Sequence, residues 1–137
     1  MAKKIQVTFD CADPGALAHF WAAVLGYRLQ EPPPGFATWD EAMAAFDVPR
    51  ERWNDASAVI DPDGVGPRLF FQRVPEGKQV KNRVHLDLTS PDLDAEVARL
   101  VGAGATQLAD QSIEGSDFRW VTLSDPDGNV FCVSGAH

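Results

Sequence analysis

The pattern of apolar and polar residues predicts the same series of elements twice along the chain. Apolar and polar residues alternate over residues 5–11, as in a half-buried strand. Residues 14–25 then have the i, i+3, i+4 apolar spacing of a helix, with Asp13 as the N-cap and Gly26 as the stop. Three further strands are predicted, over residues 27–30, 57–60 and 68–74. The first half therefore has the order β-α-β-β-β.

The second half of the chain repeats this order. A strand is predicted over residues 83–89, followed by a helix that begins at Asp92 and ends at the glycines Gly102 and Gly104. Three further strands are predicted, over residues 105–109, 118–123 and 129–135.

The tetrapeptide Asp-Pro-Asp-Gly occurs at residues 61–64 and again at residues 125–128. Each copy falls between the third and fourth predicted strands, and its composition favours a type I turn. Because the surrounding elements repeat as well, the sequence predicts one structural unit present twice, over residues 5–76 and 82–135.

Residues 32–55 form an insertion that only the first unit carries. Thr38 and Glu41 have the spacing of a capping box, which predicts a short helix. The insertion also contains Trp39 and Trp53. These two rings are candidates to stack on a flat ligand, and the alternative is that they anchor the insertion to the rest of the unit.

Composition narrows the classes of protein that fit this pattern. The chain has 137 residues, enough for one compact domain, and a net charge of −8 that argues against nucleic acid as a partner. No apolar run reaches the length of a membrane span. Cys11 and Cys132 lie in apolar, strand-like segments, which predicts buried thiols in a reducing cytoplasm; a disulfide between them is the alternative.

Three segments of the sequence are informative about its family, namely ADPGALAHFWAAVLGY, NRVHLDL and SDPDGNVFCV. They resemble the vicinal oxygen chelate superfamily, which includes glyoxalase I, the bleomycin and fosfomycin resistance proteins and the extradiol dioxygenases. The segments LFFQRVPE and KNRVHLDL are similar to the small glyoxalase-like domain proteins common in actinobacteria. The resemblance implies an α+β fold in which residues 1–137 form a single glyoxalase-like domain, with two βαβββ units around a central cleft.

Metal enzymes of this superfamily place four ligands in the cleft, on the first and last strands of each unit. Aligning the helix starts and the final strands, with three extra residues allowed in the first turn, assigns these positions to Gln6, Phe71, His85 and Cys132. Phe71 cannot coordinate an ion and Cys132 replaces a carboxylate, so the expectation is a protein without a metal cofactor. The alternative is zinc or nickel held by His85 and Gln6.

Other candidate site residues follow from the same comparison. His85 is the candidate catalytic base, and the alternatives are a hydrogen-bond partner for a ligand or a histidine bonded to Asp87 or Gln6. Arg73 is expected to share the face of Phe71 and is a candidate to bind an anionic group; the alternative is a solvent-exposed arginine at the rim. The polar faces of the two first strands add further candidate ligand-binding residues, namely Thr8, Asp10 and Asp87.

Two functions from different classes remain open at this point. The first is a divergent lyase or isomerase of the glyoxalase kind that acts on a small organic substrate in the cleft. The second is a non-catalytic, drug-binding protein of the resistance type, in which aromatic side chains and the acidic balance favour an aromatic or cationic compound. Family members often dimerise, so the resemblance also implies a homodimer.

Overall fold

The computed structural model describes residues 1–135, which divide into two compact units. Unit one is Met1–Gly77, and unit two begins at Lys78. Each unit contains one four-stranded sheet. The longest helix in the described part of the chain has 12 residues, and none of its helices is long and apolar enough to cross a membrane.

Unit one contains four strands and two α-helices. The strands are β1 (Gln6–Cys11), β2 (Arg28–Leu29), β3 (Ala56–Ile60) and β4 (Arg68–Arg73). The helices are α1 (Pro14–Leu25) and α2 (Trp39–Ala45), and a 3₁₀ turn follows at Arg50–Arg52. The strand order in the sheet is β1-β4-β3-β2, with β1 parallel to β4. The insertion contributes α2 and the 3₁₀ turn.

Helix α1 covers one face of the sheet of unit one. The helix begins where the Asp13 carboxylate accepts the backbone N–H of Ala16 at 3.1 Å, and it ends at Gly26, whose φ of 70° few other residues adopt. The Trp21 ring of α1 lies 5.2 Å from the Phe9 ring of β1, between ring centroids. Packing of the buried Trp21 ring against the half-buried Phe9 ring contributes to the core of the unit.

Unit two repeats the arrangement without an insertion. Its elements are β5 (Asp87–Ser90), α3 (Leu93–Ala103), β6 (Thr106–Ser112), β7 (Arg119–Ser124) and β8 (Val130–Gly135). The strand order is β5-β8-β7-β6, with β5 parallel to β8. Its core consists of fully buried apolar side chains, among them Leu100, Val121, Leu123, Phe131 and Val133.

Both Asp-Pro-Asp-Gly segments are turns that join the third and fourth strands of their units. The backbone N–H of Gly64 donates to the carbonyl of Asp61 at 3.0 Å, and that of Gly128 donates to the carbonyl of Asp125 at 3.0 Å. The predicted α+β organisation of two βαβββ units is therefore confirmed.

Two strands of unit two differ in extent from the sequence prediction. The ladder between β5 and β8 begins at the pair Asp87 and Cys132, so the strand predicted from residue 83 starts later, and His85 precedes it. Strand β6 continues to Ser112, because its polar last residues pair with β7. Pairing with a neighbouring strand outweighs the local composition there.

Candidate functional site

One face of the sheet of unit one carries polar side chains from β1 and β4. Arg68 Nη1 donates to Gln6 Oε1 at 2.7 Å, and Gln72 Nε2 donates to Asp10 Oδ1 at 2.6 Å. Thr8 lies between these pairs on β1. The predicted candidates Gln6, Thr8 and Asp10 thus lie on one exposed face, as their alternation along the strand indicates.

Phe71 does not share this face, contrary to the sequence alignment. Its side chain is fully buried, and its ring lies 5.2 Å from the ring of Phe9 on the side covered by α1. The residue of β4 that pairs with Thr8 is Phe70, which is half-buried.

The ladder registers identify the counterpart of Cys132 in unit one. Asp87 pairs with Cys132 in the parallel ladder of unit two, and Thr8 pairs with Phe70 in the parallel ladder of unit one. Thr8 and Asp87 are equivalent, because each precedes the N-cap of the following helix, Asp13 or Asp92, by the same number of residues. Their partners are therefore equivalent too, and Phe70 is the structural counterpart of Cys132. Like Phe71, it has no atom that can coordinate a metal ion.

Arg73 lies two residues after Phe71 on β4 and shares its face, as predicted. It therefore also belongs to the side of the sheet that α1 covers. Its Nη2 donates to the carbonyl of Asn54 at 3.0 Å, and its Nε lies 4.0 Å from a carboxylate oxygen of Asp55. The Asn54 side chain in turn donates to Asp13 at 2.8 Å, and this bond lowers the pKa of Asp13. Arg73 thus fixes the end of the insertion near the start of α1, away from Gln6 and Thr8.

The insertion and the sheet of unit one enclose a pocket of about 460 Å³, which Trp39 and Trp53 both line. The Trp39 indole N–H donates to the carbonyl of Gln30 at 2.8 Å, and the Trp53 indole N–H donates to the carbonyl of Val48 at 2.9 Å. Each indole is therefore held by the backbone while part of its ring borders the pocket. Both predicted interpretations, anchoring and pocket lining, agree with this geometry.

The pocket also has lining residues that the sequence analysis missed. Arg68 and Phe70 of β4 line it together with His19 of α1. Arg68 Nε donates to Gln30 Oε1 at 2.8 Å, and its guanidinium carbon lies 5.3 Å from the centroid of the Phe70 ring. The signal that could have identified Arg68 and Phe70 is their alternation with Leu69 and Phe71 on β4.

Unit two brings together three side chains that could ligate a metal. His85 Nε2 lies 3.1 Å from Asp87 Oδ1, and one ligand atom from each of His85, Asp87 and Cys132 lies within 4.8 Å of the others. The side chains of His85 and Asp87 are 42% and 71% exposed, whereas Cys132 is buried. The Cys132 sulfur lies 3.5 Å from Thr122 Oγ1 on the neighbouring strand. We call His85, Asp87 and Cys132 the donor group.

The donor group fits a divalent ion. Zinc binds nitrogen, oxygen and thiolate sulfur at about 2.0–2.3 Å with tetrahedral angles, so two ligand atoms on one ion lie about 3.3–3.8 Å apart. The three ligand atoms of the donor group lie within 4.8 Å of one another, so the exposed His85 and Asp87 side chains would have to move toward Cys132 to bind one ion. Gln6, the second metal ligand that the sequence analysis considered, belongs to unit one and bonds there to Arg68.

The two βαβββ units have the vicinal oxygen chelate fold. The family model described as "Glyoxalase-like domain" matches residues 6–134, so the chain belongs to the glyoxalase-like domain family. No curated protein matches the chain.

Solved structures with low sequence identity share the fold. A glyoxalase/bleomycin resistance protein/dioxygenase family enzyme from Burkholderia phytofirmans PsJN has a TM-score of 0.64 at 16% identity, and the match covers 96% of this chain and 97% of that chain. The fosfomycin resistance protein FosX from Listeria monocytogenes has a TM-score of 0.67 at 9% identity, with coverages of 100% and 95%. A glyoxalase family protein from Bacillus cereus has a TM-score of 0.63 at 14% identity, with coverages of 98% and 95%.

Proposed function

We propose that the protein is a divergent lyase or isomerase that acts on a small organic substrate, with the donor group as its chemical centre. The observation that carries this proposal is the distance of 3.1 Å between His85 Nε2 and Asp87 Oδ1, beside the Cys132 thiol. A carboxylate at this distance from an imidazole orients the ring and fixes which nitrogen carries the proton.

His85 can accept a proton from a substrate in this arrangement. With its Nε2–H directed at Asp87, the imidazole presents the lone pair of Nδ1 for a proton from a substrate. Asp87 stabilises the imidazolium that forms, because the carboxylate is already within hydrogen-bond distance. The 42% exposure of the His85 side chain leaves the ring accessible to a small molecule.

The same three side chains would hold a divalent metal such as zinc or nickel, in which case His85 is a ligand instead of the base. When bound, the ion would supply Lewis-acid polarisation of a substrate oxygen. A FosX structure from Listeria monocytogenes is described as complexed with Mn(II) and 1S,2S-dihydroxypropylphosphonic acid, which supports a divalent ion as the cofactor to test in this family.

A second candidate function is non-catalytic binding of an aromatic compound, as in a drug-sequestering resistance protein. The observation that favours it is the pocket of unit one, which is lined by Trp39, Trp53 and Phe70. Phe70 stands where unit two has Cys132, so unit one offers an aromatic ring in place of a metal ligand at that position.

The metal content of the purified protein after equilibration with zinc and then nickel tests the form of the first candidate in which His85 is a metal ligand. We expect one ion per chain in the wild type and a loss of that ion in His85→Ala and Cys132→Ala. His19→Ala and Cys11→Ala are matched controls outside the donor group and should keep the ion. A metal-free wild type would contradict the metal-bound form of the first candidate, and binding of an aromatic compound that is unchanged in His85→Ala would favour the second candidate.

Three further sequence predictions remain proposals. We propose that both units form one domain, that the protein is a homodimer, and that it acts in the cytoplasm. Light scattering of the purified protein would test the dimer.

A further inference from the structure

The pocket of unit one has the size of a small-molecule site. Its volume of about 460 Å³ lies in the range of roughly 300–1,000 Å³ that is usual for such sites. Apolar side chains make up much of its lining, with Leu29 and Met43 beside the two indoles and the Phe70 ring. These surfaces favour a flat, apolar ligand.

The two indoles are held in fixed positions, so little order has to be gained on binding. Each indole N–H already donates to a backbone carbonyl, that of Gln30 for Trp39 and that of Val48 for Trp53. The guanidinium of Arg50 also covers one face of Trp53, at 5.2 Å from the ring centroid. Aromatic walls that are fixed in advance lower the entropic cost of stacking a planar ligand.

Arg68 gives the pocket an oriented positive charge. Its Nη1 and Nε donate to the side-chain oxygens of Gln6 and Gln30, which are uncharged, and its guanidinium lies over Phe70. Within residues 1–135, Arg68 forms no ion pair with a carboxylate, and its Nη2 donates to no protein atom. A guanidinium held in this way can donate to an anionic group without first breaking an ion pair.

The other titratable side chains that line the pocket are His19 and Asp40. Asp40 opposes additional negative charge, so the pocket matches one anionic group better than two. The net charge of −8 suggests a preference for cationic ligands. The charged residues of the pocket indicate instead a preference for a ligand with one anionic group.

We propose that the pocket of unit one binds a planar aromatic molecule with a single carboxylate, which Arg68 receives while Trp39, Trp53 and Phe70 contact the ring. This inference rests on the proposed binding of a small organic molecule and adds its chemical class. The pocket contains no residue of the donor group in unit two. The proposal for the pocket and the proposal for the donor group can therefore fail separately.

Calorimetric titration with 2-naphthoate and its neutral amide, 2-naphthamide, tests the inference. We expect the wild type to bind 2-naphthoate about tenfold or more tightly than the amide, which is the factor that one hydrogen bond to a charged group supplies. Arg68→Gln should bind both compounds equally, and Arg68→Lys should keep part of the preference. Trp53→Leu should weaken both compounds.

Arg99→Gln is the control, because it removes the same charge from the surface of unit two, where Arg99 pairs with Glu96 on α3 and does not line the pocket. It should keep the full preference for 2-naphthoate, as should His85→Ala in unit two. The inference is overturned if the wild type binds neither compound or binds both equally, or if Arg68→Gln, with a circular dichroism spectrum like that of the wild type, keeps the preference. Loss of metal in His85→Ala with unchanged 2-naphthoate binding would separate this result from the test of the donor group.

Discussion

Replacement of Phe71 by alanine should destabilise unit one strongly, because the ring is fully buried against Phe9. The change removes the transfer free energy of a whole buried ring and leaves a cavity between the sheet and α1. Together these effects correspond to about 3–5 kcal/mol. A loss of that size is a large part of the usual stability of a small domain.

Phe70→Ala is the matched control, one residue earlier on the same strand. Its ring is half-buried and borders the pocket, so the expected loss is smaller, about 1–2 kcal/mol. Urea unfolding of both variants, followed by far-UV circular dichroism, gives the two free energies of unfolding. The assignment of faces on β4 is refuted if Phe70→Ala costs as much as Phe71→Ala, or more.

Three further predictions concern buried or bonded carboxylates. Asp125→Ala should lower the free energy of unfolding in urea by about 1–3 kcal/mol, because the buried Asp125 carboxylate accepts backbone N–H groups of the turn that it begins. An unchanged unfolding midpoint would contradict this. Asn54→Ala should raise the pKa of Asp13, followed by NMR titration, because the amide that lowers this pKa is removed; no change would contradict the contact. The pKa of Asp61 is lowered by hydrogen bonds from the backbone N–H of Gly66 and of two other loop residues. The Asp61 carboxylate therefore contributes stability above about pH 4, and this contribution is lost as the pH falls through the pKa of Asp61 in the folded state. The melting temperature of Asp61→Asn should therefore depend less on pH over that window than that of the wild type, and parallel curves would argue against it.

Most of the fold could be predicted from the sequence, because the local signals agree with one another. Alternation identified β1, and the Asp13 cap with Gly26 placed both ends of α1. The repeated Asp-Pro-Asp-Gly turn, with similar elements around each copy, indicated the duplicated unit. Such features depend on neighbouring residues in the chain and can therefore be recognised without tertiary contacts.

The face of β4 could not be predicted, because it depends on the length of a loop. Phe70 follows Asp61 by nine residues and Cys132 follows Asp125 by seven, so the first loop is two residues longer. The sequence alignment allowed three extra residues, and a shift of one residue moves a side chain to the other face of a strand. Phe71 was therefore assigned to the position that Phe70 occupies.

The candidate site was predicted in part. Counting from the helix starts and the second turn identified His85, Asp87 and Cys132 as candidates, and the structure places them together. The pocket of unit one depends on where the insertion folds against β3 and β4, which no local pattern encodes. Alternation with Leu69 indicates the face of β4 on which Arg68 lies, but it does not indicate the pocket that Arg68 lines.

Cobalt(II) titration of the metal-free protein tests the donor group most directly, because a thiolate bound to cobalt gives a charge-transfer absorption that other ligands do not. We predict that this band grows to saturation at one equivalent, disappears in Cys132→Ser and His85→Ala, and persists in Cys11→Ser. A wild type that shows no charge-transfer band, or a band that survives Cys132→Ser, would contradict the proposal that these residues hold a divalent ion.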